Sequence, residues 1–290
     1  MFFVSRVSPA VLLALFAQPA LAEELRHGGK IVLTNGISTI EGASGGGLTP
    51  WAVIAGNETK DGIGVQASAT IAELADYDYH NLSIAIGVFD RVELSYARQT
   101  FNTNEIGGLL GIGNNFAFDQ DVYGIKLKLF GDLVYGPAAL PAVAIGAQYK
   151  KNLDAPIVRA VGARHDQGVD YYVTASKLFL RYSLLASATV RLTKANQMGL
   201  LGYGGDLGDD YSVQFEGSLA YQLSRKLAVG GEFRSKPDNL GIAREDDWFD
   251  AFAAYALNDH LTATVAYSDL GSIATVKGQR GVLFQLQAGF

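Results

Sequence analysis

The sequence predicts an all-β fold, a transmembrane antiparallel β-barrel of fourteen strands with short periplasmic turns and long extracellular loops. Three observations carry that prediction. Large apolar side chains recur at every second position over long segments, as in Tyr211, Val213, Phe215, Leu219 and Tyr221, with Ser212, Gln214, Glu216 and Ser218 on the other face. A period of two belongs to a strand, and strands this long suit a bilayer better than a small globular sheet. The connections between such segments alternate between short and long, as in outer-membrane barrels. Finally, no run after Ala22 approaches the roughly 18 apolar residues that a spanning helix requires.

Residues 1–22 carry Arg6 as their one charge, an apolar core at residues 11–17 and a small-residue end at Ala20-Leu21-Ala22. This is the pattern of a signal peptide cleaved after Ala22, which leaves residues 23–290 as a single barrel domain. The chain has no cysteine, so no disulfide staples it and stability has to come from one continuous hydrogen-bonded structure. A formal net charge of -6 argues against a nucleic-acid surface.

Residues 29–39 alternate poorly and form the weakest strand of the series; if residues 30–38 stay outside the wall, the count falls back to twelve. Glycines at 45–47 then break the chain. They are no phosphate loop, because no Gly-Lys-Ser/Thr and no helical period follow. A strand resumes over residues 48–56. The remaining strands are expected at 62–72, 79–88, 92–101, 121–130, 141–150, 169–179, 184–194, 210–221, 227–236, 248–257, 261–269 and 282–290. In the first of these, Ile63, Val65, Ala67, Ala69 and Ile71 face outward while Gln66, Ser68 and Thr70 face inward.

Turns at Phe89-Asp90, Leu180-Arg181-Tyr182, Ser224-Arg225 and Asn258-Asp259 are short, as are residues 57–60 and the somewhat longer 131–140. Residues 102–118, 151–168, 195–209, 237–245 and 270–280 are long loops, the second holding one or two helical turns within 156–163. Glycines at 107, 108, 111 and 113 lack the flanking strand and helix of a dinucleotide site. Closure is required physically, because an open edge in lipid leaves unpaired backbone groups.

The last strand alternates Phe284, Leu286, Ala288 and Phe290 on one face. It looks like the terminal strand by which the barrel-assembly machinery recognises its clients. Aromatic residues fall near strand ends, as two interfacial girdles facing lipid and lipopolysaccharide would require. They are Trp51, Tyr77, Tyr79, Phe101, Phe118, Tyr149, Tyr171, Tyr172, Tyr182, Tyr211, Tyr221, Trp248, Phe249, Tyr255 and Phe290.

The alternation assigns Glu93, Lys126, Lys128, Lys150, Arg191, Glu216, Glu232, Arg234 and Asp250 to the inward faces. Such charges either line a constriction that selects small polar or charged solutes, or pair with one another across neighbouring strands. Two similar runs, Arg191-Leu192-Thr193-Lys194-Ala195-Asn196 and Arg234-Ser235-Lys236-Pro237-Asp238-Asn239, put Lys194, Asn196, Lys236 and Asn239 at the outer mouth. There they form a cationic and amide ring favouring anions, or serve turn chemistry and headgroup contacts. The acidic run 245–250 with Asp206, Asp209 and Asp210 offers oxygens for calcium but lacks a ligand loop. No cofactor or metal site is expected: the four histidines are dispersed, and only His80 near Ser83 with Asp78, or His165-Asp166, begins anything like a catalytic set. The protein is therefore not expected to be an enzyme.

Four stretches carry a resemblance: Gly46-Gly47-Leu48-Thr49-Pro50-Trp51-Ala52-Val53-Ile54, Phe89-Asp90-Arg91-Val92-Glu93-Leu94-Ser95-Tyr96-Ala97-Arg98-Gln99, Thr193-Lys194-Ala195-Asn196-Gln197, and Lys236-Pro237-Asp238-Asn239-Leu240-Gly241 with Arg244-Glu245-Asp246-Asp247-Trp248-Phe249-Asp250. Through them the chain resembles, over nearly all of residues 29–290, the proteobacterial family catalogued as domain of unknown function 3034. The resemblance implies a secreted outer-membrane barrel and carries over no substrate or catalytic residue. The leading functional expectation is a porin-like diffusion channel for small polar or charged solutes. It predicts discrete conductance steps in planar bilayers, and a sealed barrel showing none, with Arg191 and Arg234 locked in complete salt-bridge ladders, would defeat it. The alternative is a non-conducting structural or adhesion barrel acting through its loops, and a carrier of hydrophobic substrates, which would need an apolar lumen, comes third.

Overall fold

A computed structural model describes residues 29–290; the signal-peptide reading of residues 1–22 lies outside them. Two short strands, β1 (Ile37–Ser38) and β2 (Ser44–Gly45), pair only with each other. The twelve that follow close into one barrel: β3 (Ile63–Leu74), β4 (Asp78–Val88), β5 (Val92–Asn102), β6 (Ala117–Phe130), β7 (Ala142–Asn152), β8 (Gln167–Phe179), β9 (Leu184–Thr193), β10 (Ser212–Ser224), β11 (Leu227–Arg234), β12 (Trp248–Ala256), β13 (Leu261–Asp269) and β14 (Arg280–Gly289). Each is antiparallel to its neighbours, and β14 closes on β3 from Gly281 opposite Leu74 to Gly289 opposite Gln66. No edge of the wall is left unpaired, which is what lipid demands of a sheet.

The wall has twelve strands and not fourteen, because residues 29–39 and 48–56 leave it. A wall strand needs one apolar face for lipid, yet every residue from 34 to 56 except Gly47 is buried. That segment enters from the short-turn end, runs up inside the barrel through β1 and β2, and returns to the same end, where Asn57 N–H donates to the Phe290 carbonyl at 3.0 Å. It is a plug. Its backbone, irregular and far from water, finds its hydrogen-bond partners on inward side chains of the wall, as buried polar backbone must.

Alternation along the wall follows the expected faces. On β4, Leu82, Ile84 and Ile86 are exposed while Asn81, Ser83 and Ala85 are buried; on β10, Val213, Phe215, Leu219 and Tyr221 are exposed while Glu216, Ser218 and Ala220 are buried. The inward row of β12 reads Trp248, Asp250, Phe252 and Ala254, an apolar zone above and below a charged middle. The girdle expectation needs correction. Tyr149, Tyr171, Tyr182, Tyr211, Tyr221, Phe249 and Tyr255 do face outward, but Trp51, Tyr77, Tyr79, Phe101, Phe118, Tyr172 and Trp248 are buried inside. The parity of their positions turns the wall members of this second group inward, Tyr77 sits in the turn between β3 and β4, and Trp51 belongs to the plug.

Candidate functional site

The inward charges meet the plug. All nine sit on the interior side of the wall, eight of them buried and Asp250 partly so. At the plug apex the Glu41 carboxylate receives Arg234 at 2.7 Å, Arg191 at 3.5 Å and the Lys150 ammonium. Lys150 also pairs with Asp170 at 2.6 Å, Arg191 with Glu216, and Arg234 with Glu216 at 3.4 Å. Burial opposes ionisation of Glu41, but Arg234, Lys150 and Arg191 together outweigh it and hold the carboxyl well below the ordinary range. The cluster spans five consecutive wall strands, β7 to β11, and one carboxylate of the plug joins them.

Two further clamps hold the plug lower down. Glu93 accepts the Ser44 N–H at 3.1 Å and the Ala55 N–H at 2.9 Å, while Lys126 donates to the Ser44 and Val53 carbonyls at 2.8 and 2.9 Å and pairs with Glu93 at 3.0 Å. Glu232 accepts the Gly47 and Leu48 N–H groups at 2.6 and 2.7 Å and the Thr49 hydroxyl at 2.6 Å. A Cβ on Gly46 would run into the Glu232 carboxylate, which would have to shift out of this clamp to make room. Neutral amides complete the fit: Gln285 donates to the Ser38 carbonyl at 2.8 Å and Gln99 to the Ile40 carbonyl at 2.6 Å.

Lys128 stands apart from this group, at the short-turn rim, where it and Lys30 both bridge Asp90 of the β4–β5 turn. Asp250 faces Glu232 across the β11–β12 register. The four outer-mouth residues come together in the cap that the long loops form. Asn239 donates to Asn196 at 3.1 Å and to the Lys194 carbonyl at 3.2 Å. Lys194 pairs with Asp209 at 2.8 Å, and Lys236 with Glu245 at 2.9 Å. Burial pushes the Glu245 carboxyl up and the Lys236 ammonium down, each partly restored by the other. The loop at 194–211 folds into the barrel mouth, with residues 195–203 all buried and Gln197 and Met198 at φ of 44° and 59°.

The catalytic and metal candidates do not converge. His80 is exposed on the outer face of β4 and Ser83 is buried on its inner face. Asp166 is taken by Arg159 at 2.7 Å, and Asp206 accepts the Gly241 N–H at 2.8 Å. Among the described residues no three His, Asp or Glu side chains form a metal-holding group. Sequence reasoning missed Glu41 and Asp170. The signal was available in one respect: Lys150, Arg191 and Arg234 point inward on the alternate strands β7, β9 and β11, Asp170 has inward parity on β8 between the first two, and Glu41 is the acid of the glycine-rich segment.

A closed antiparallel wall, apolar outside and charged within, defines an outer-membrane β-barrel. Residues 34–287 match the family described as "Protein of unknown function (DUF3034)", and the chain belongs to that family. No curated protein matches it in sequence. Among solved structures it is similar to the KdgM porin, with TM-score 0.51, 10% identity and coverage of 78% of this chain and 99% of that one. The NanC porin gives TM-score 0.49 at 12% identity, over 78% and 98% of the two chains. Outer membrane phospholipase A from Escherichia coli gives 0.43 at 10% identity, over 78% and 92%. At such identities the likeness is one of fold alone.

Proposed function

We propose that this protein is a gated outer-membrane channel for small polar or charged solutes, closed by its own N-terminal segment. The observation that carries the reading is that the interior charges are satisfied to a large extent by a segment outside the wall: Glu41, the Ser44 and Val53 carbonyls, and the Gly47 and Leu48 amides take partners from the wall. A purely structural ladder would pair strand with strand, as Arg191 and Glu216 do. With residues 34–56 withdrawn towards the short-turn end, Glu93, Lys126, Lys150, Arg191, Glu216, Glu232 and Arg234 would line a wet lumen with both signs of charge. With the plug seated, Arg191 and Arg234 are locked in ion pairs with Glu41 and Glu216, the arrangement that counts against a permanently open channel, so this reading requires the plug to leave. No catalytic step belongs to this reading. The strand β14, which alternates Phe284 and Leu286 outward with Gln285 and Gln287 inward, is the segment through which the assembly machinery would insert the barrel, and lipid and lipopolysaccharide would cover its outer face.

The test is current through planar bilayers. The intact protein is expected to give no steady conductance, and deletion of residues 37–55 is expected to give discrete steps, with heat-modifiable gel migration reporting that the wall still folds. Silence in both would sink the channel and leave the sealed barrel acting through its loops.

A further inference from the structure

A cavity of about 130 Å³ lies between the plug apex and the loop cap. Ile40 and Leu48 of the plug form one side, inward residues at the upper ends of the wall such as Phe101, Trp248 and Leu283 form the flanks, and all five long loops contribute to its roof. No charged side chain lines it. Apolar cavities of roughly 150 Å³ accept a molecule the size of benzene, so volume and lining together select a ring-sized apolar body. Two polar groups among the lining residues are orphaned. The Trp248 indole N–H and the Ser268 hydroxyl have no hydrogen-bond partner among the described residues, and each residue is only 4% exposed. They belong to adjacent strands, with Ser268 paired to Asp250, two positions from Trp248. The indole itself is held by the Lys236 ammonium, 4.4 Å from its ring centroid.

We infer that this cavity binds a small neutral molecule, about one six-membered ring in size, that carries a single oxygen acceptor such as a ketone, ester or ether. The apolar body packs on Ile40, Leu48 and Leu283, and the oxygen accepts from Trp248 Nε1 and the Ser268 hydroxyl. Both donors then gain the partner that buried polar groups require. A carboxylate is rejected because none of the lining side chains repays its desolvation. A bare hydrocarbon binds more weakly because it leaves the N–H orphaned. The site is complete with the plug seated, so the inference stands whether or not the barrel conducts. Because the ligand touches Ile40 and Leu48, it also favours the seated plug over the withdrawn one.

Trp51 and Trp248 are the two tryptophans of the chain, so emission from a Trp51→Phe variant in lipid nanodiscs reports Trp248 alone. Titration with cyclohexanone is expected to give a saturable change, cyclohexane at least tenfold weaker binding, and cyclohexanecarboxylate none. Ala72→Phe fills the cavity from β3 and should abolish the response. Ala274→Phe does the same from a loop, should the wall variant fail to fold. A non-saturable response equal to partition into lipid, equal affinity for all three compounds, or undiminished binding in a folded filled variant would overturn the inference.

Discussion

In the proposed gate, Glu41 is the residue that joins the plug to the buried cations of the wall. It is one carboxylate facing two guanidinium groups and an ammonium, all buried. Removing one partner of a buried ion group costs about 3–5 kcal/mol, because the charges left behind are uncompensated. Glu41 lies on the plug, so that cost falls on the seated state alone. Its carboxyl is held well below the ordinary value of 4.5. A depressed carboxyl contributes stability that is present above the ordinary value and lost as pH falls through the folded one. Wild-type protein in bilayers is therefore expected to stay shut at neutral pH and to open in acid. Glu41→Gln should open already at neutral pH and respond less to acid. A variant as silent as wild type at pH 7 would remove Glu41 from the gate.

At the scale of elements, the plug is held by shape as well as charge. Its returning limb passes so close to β4 that a Cβ on Gly87 would collide with the Ala55 carbonyl and the Ile54 side chain. The limb then turns at Gly56, whose φ of +81° suits glycine. Gly87→Val changes no charge and stays on the interior face of the wall. It should loosen residues 50–56, read as faster hydrogen exchange of their amides and as transient conductance, while exchange in the β8–β9 ladder stays at the wild-type rate. Unchanged exchange throughout would mean that the limb does not depend on this contact.

For the molecule as a whole, two barriers stand in series across one closed wall: the plug from the short-turn end and the cap of long loops. The cap is built from paired charges such as Lys236–Glu245 over an apolar floor, and the loop at 194–211 turns into it. Deleting residues 195–209 is thus expected to leave the intact protein silent, because the plug remains, and to raise the conductance of the protein lacking residues 37–55. If the loop deletion alone gave the full current, the plug would not be the gate.

Much of this was legible in the chain. Period-two alternation fixed the wall strands, their faces and the interior position of Lys126, Lys150, Arg191, Glu216, Glu232 and Arg234, because each is a local consequence of strand geometry against lipid. Local pattern says nothing about what fills a lumen. Residues 34–56 carry no lipid-facing row, and their partners lie up to 251 positions away, as for Gln287 and the Gly36 carbonyl. The sequence by itself determined an outer-membrane barrel with a charged interior. Only the tertiary structure decided that the barrel is plugged, that Glu41 is the counter-charge, and that Phe101 and Trp248 surround a cavity instead of facing lipid, since each of these depends on a segment crossing the lumen to meet side chains remote in the chain.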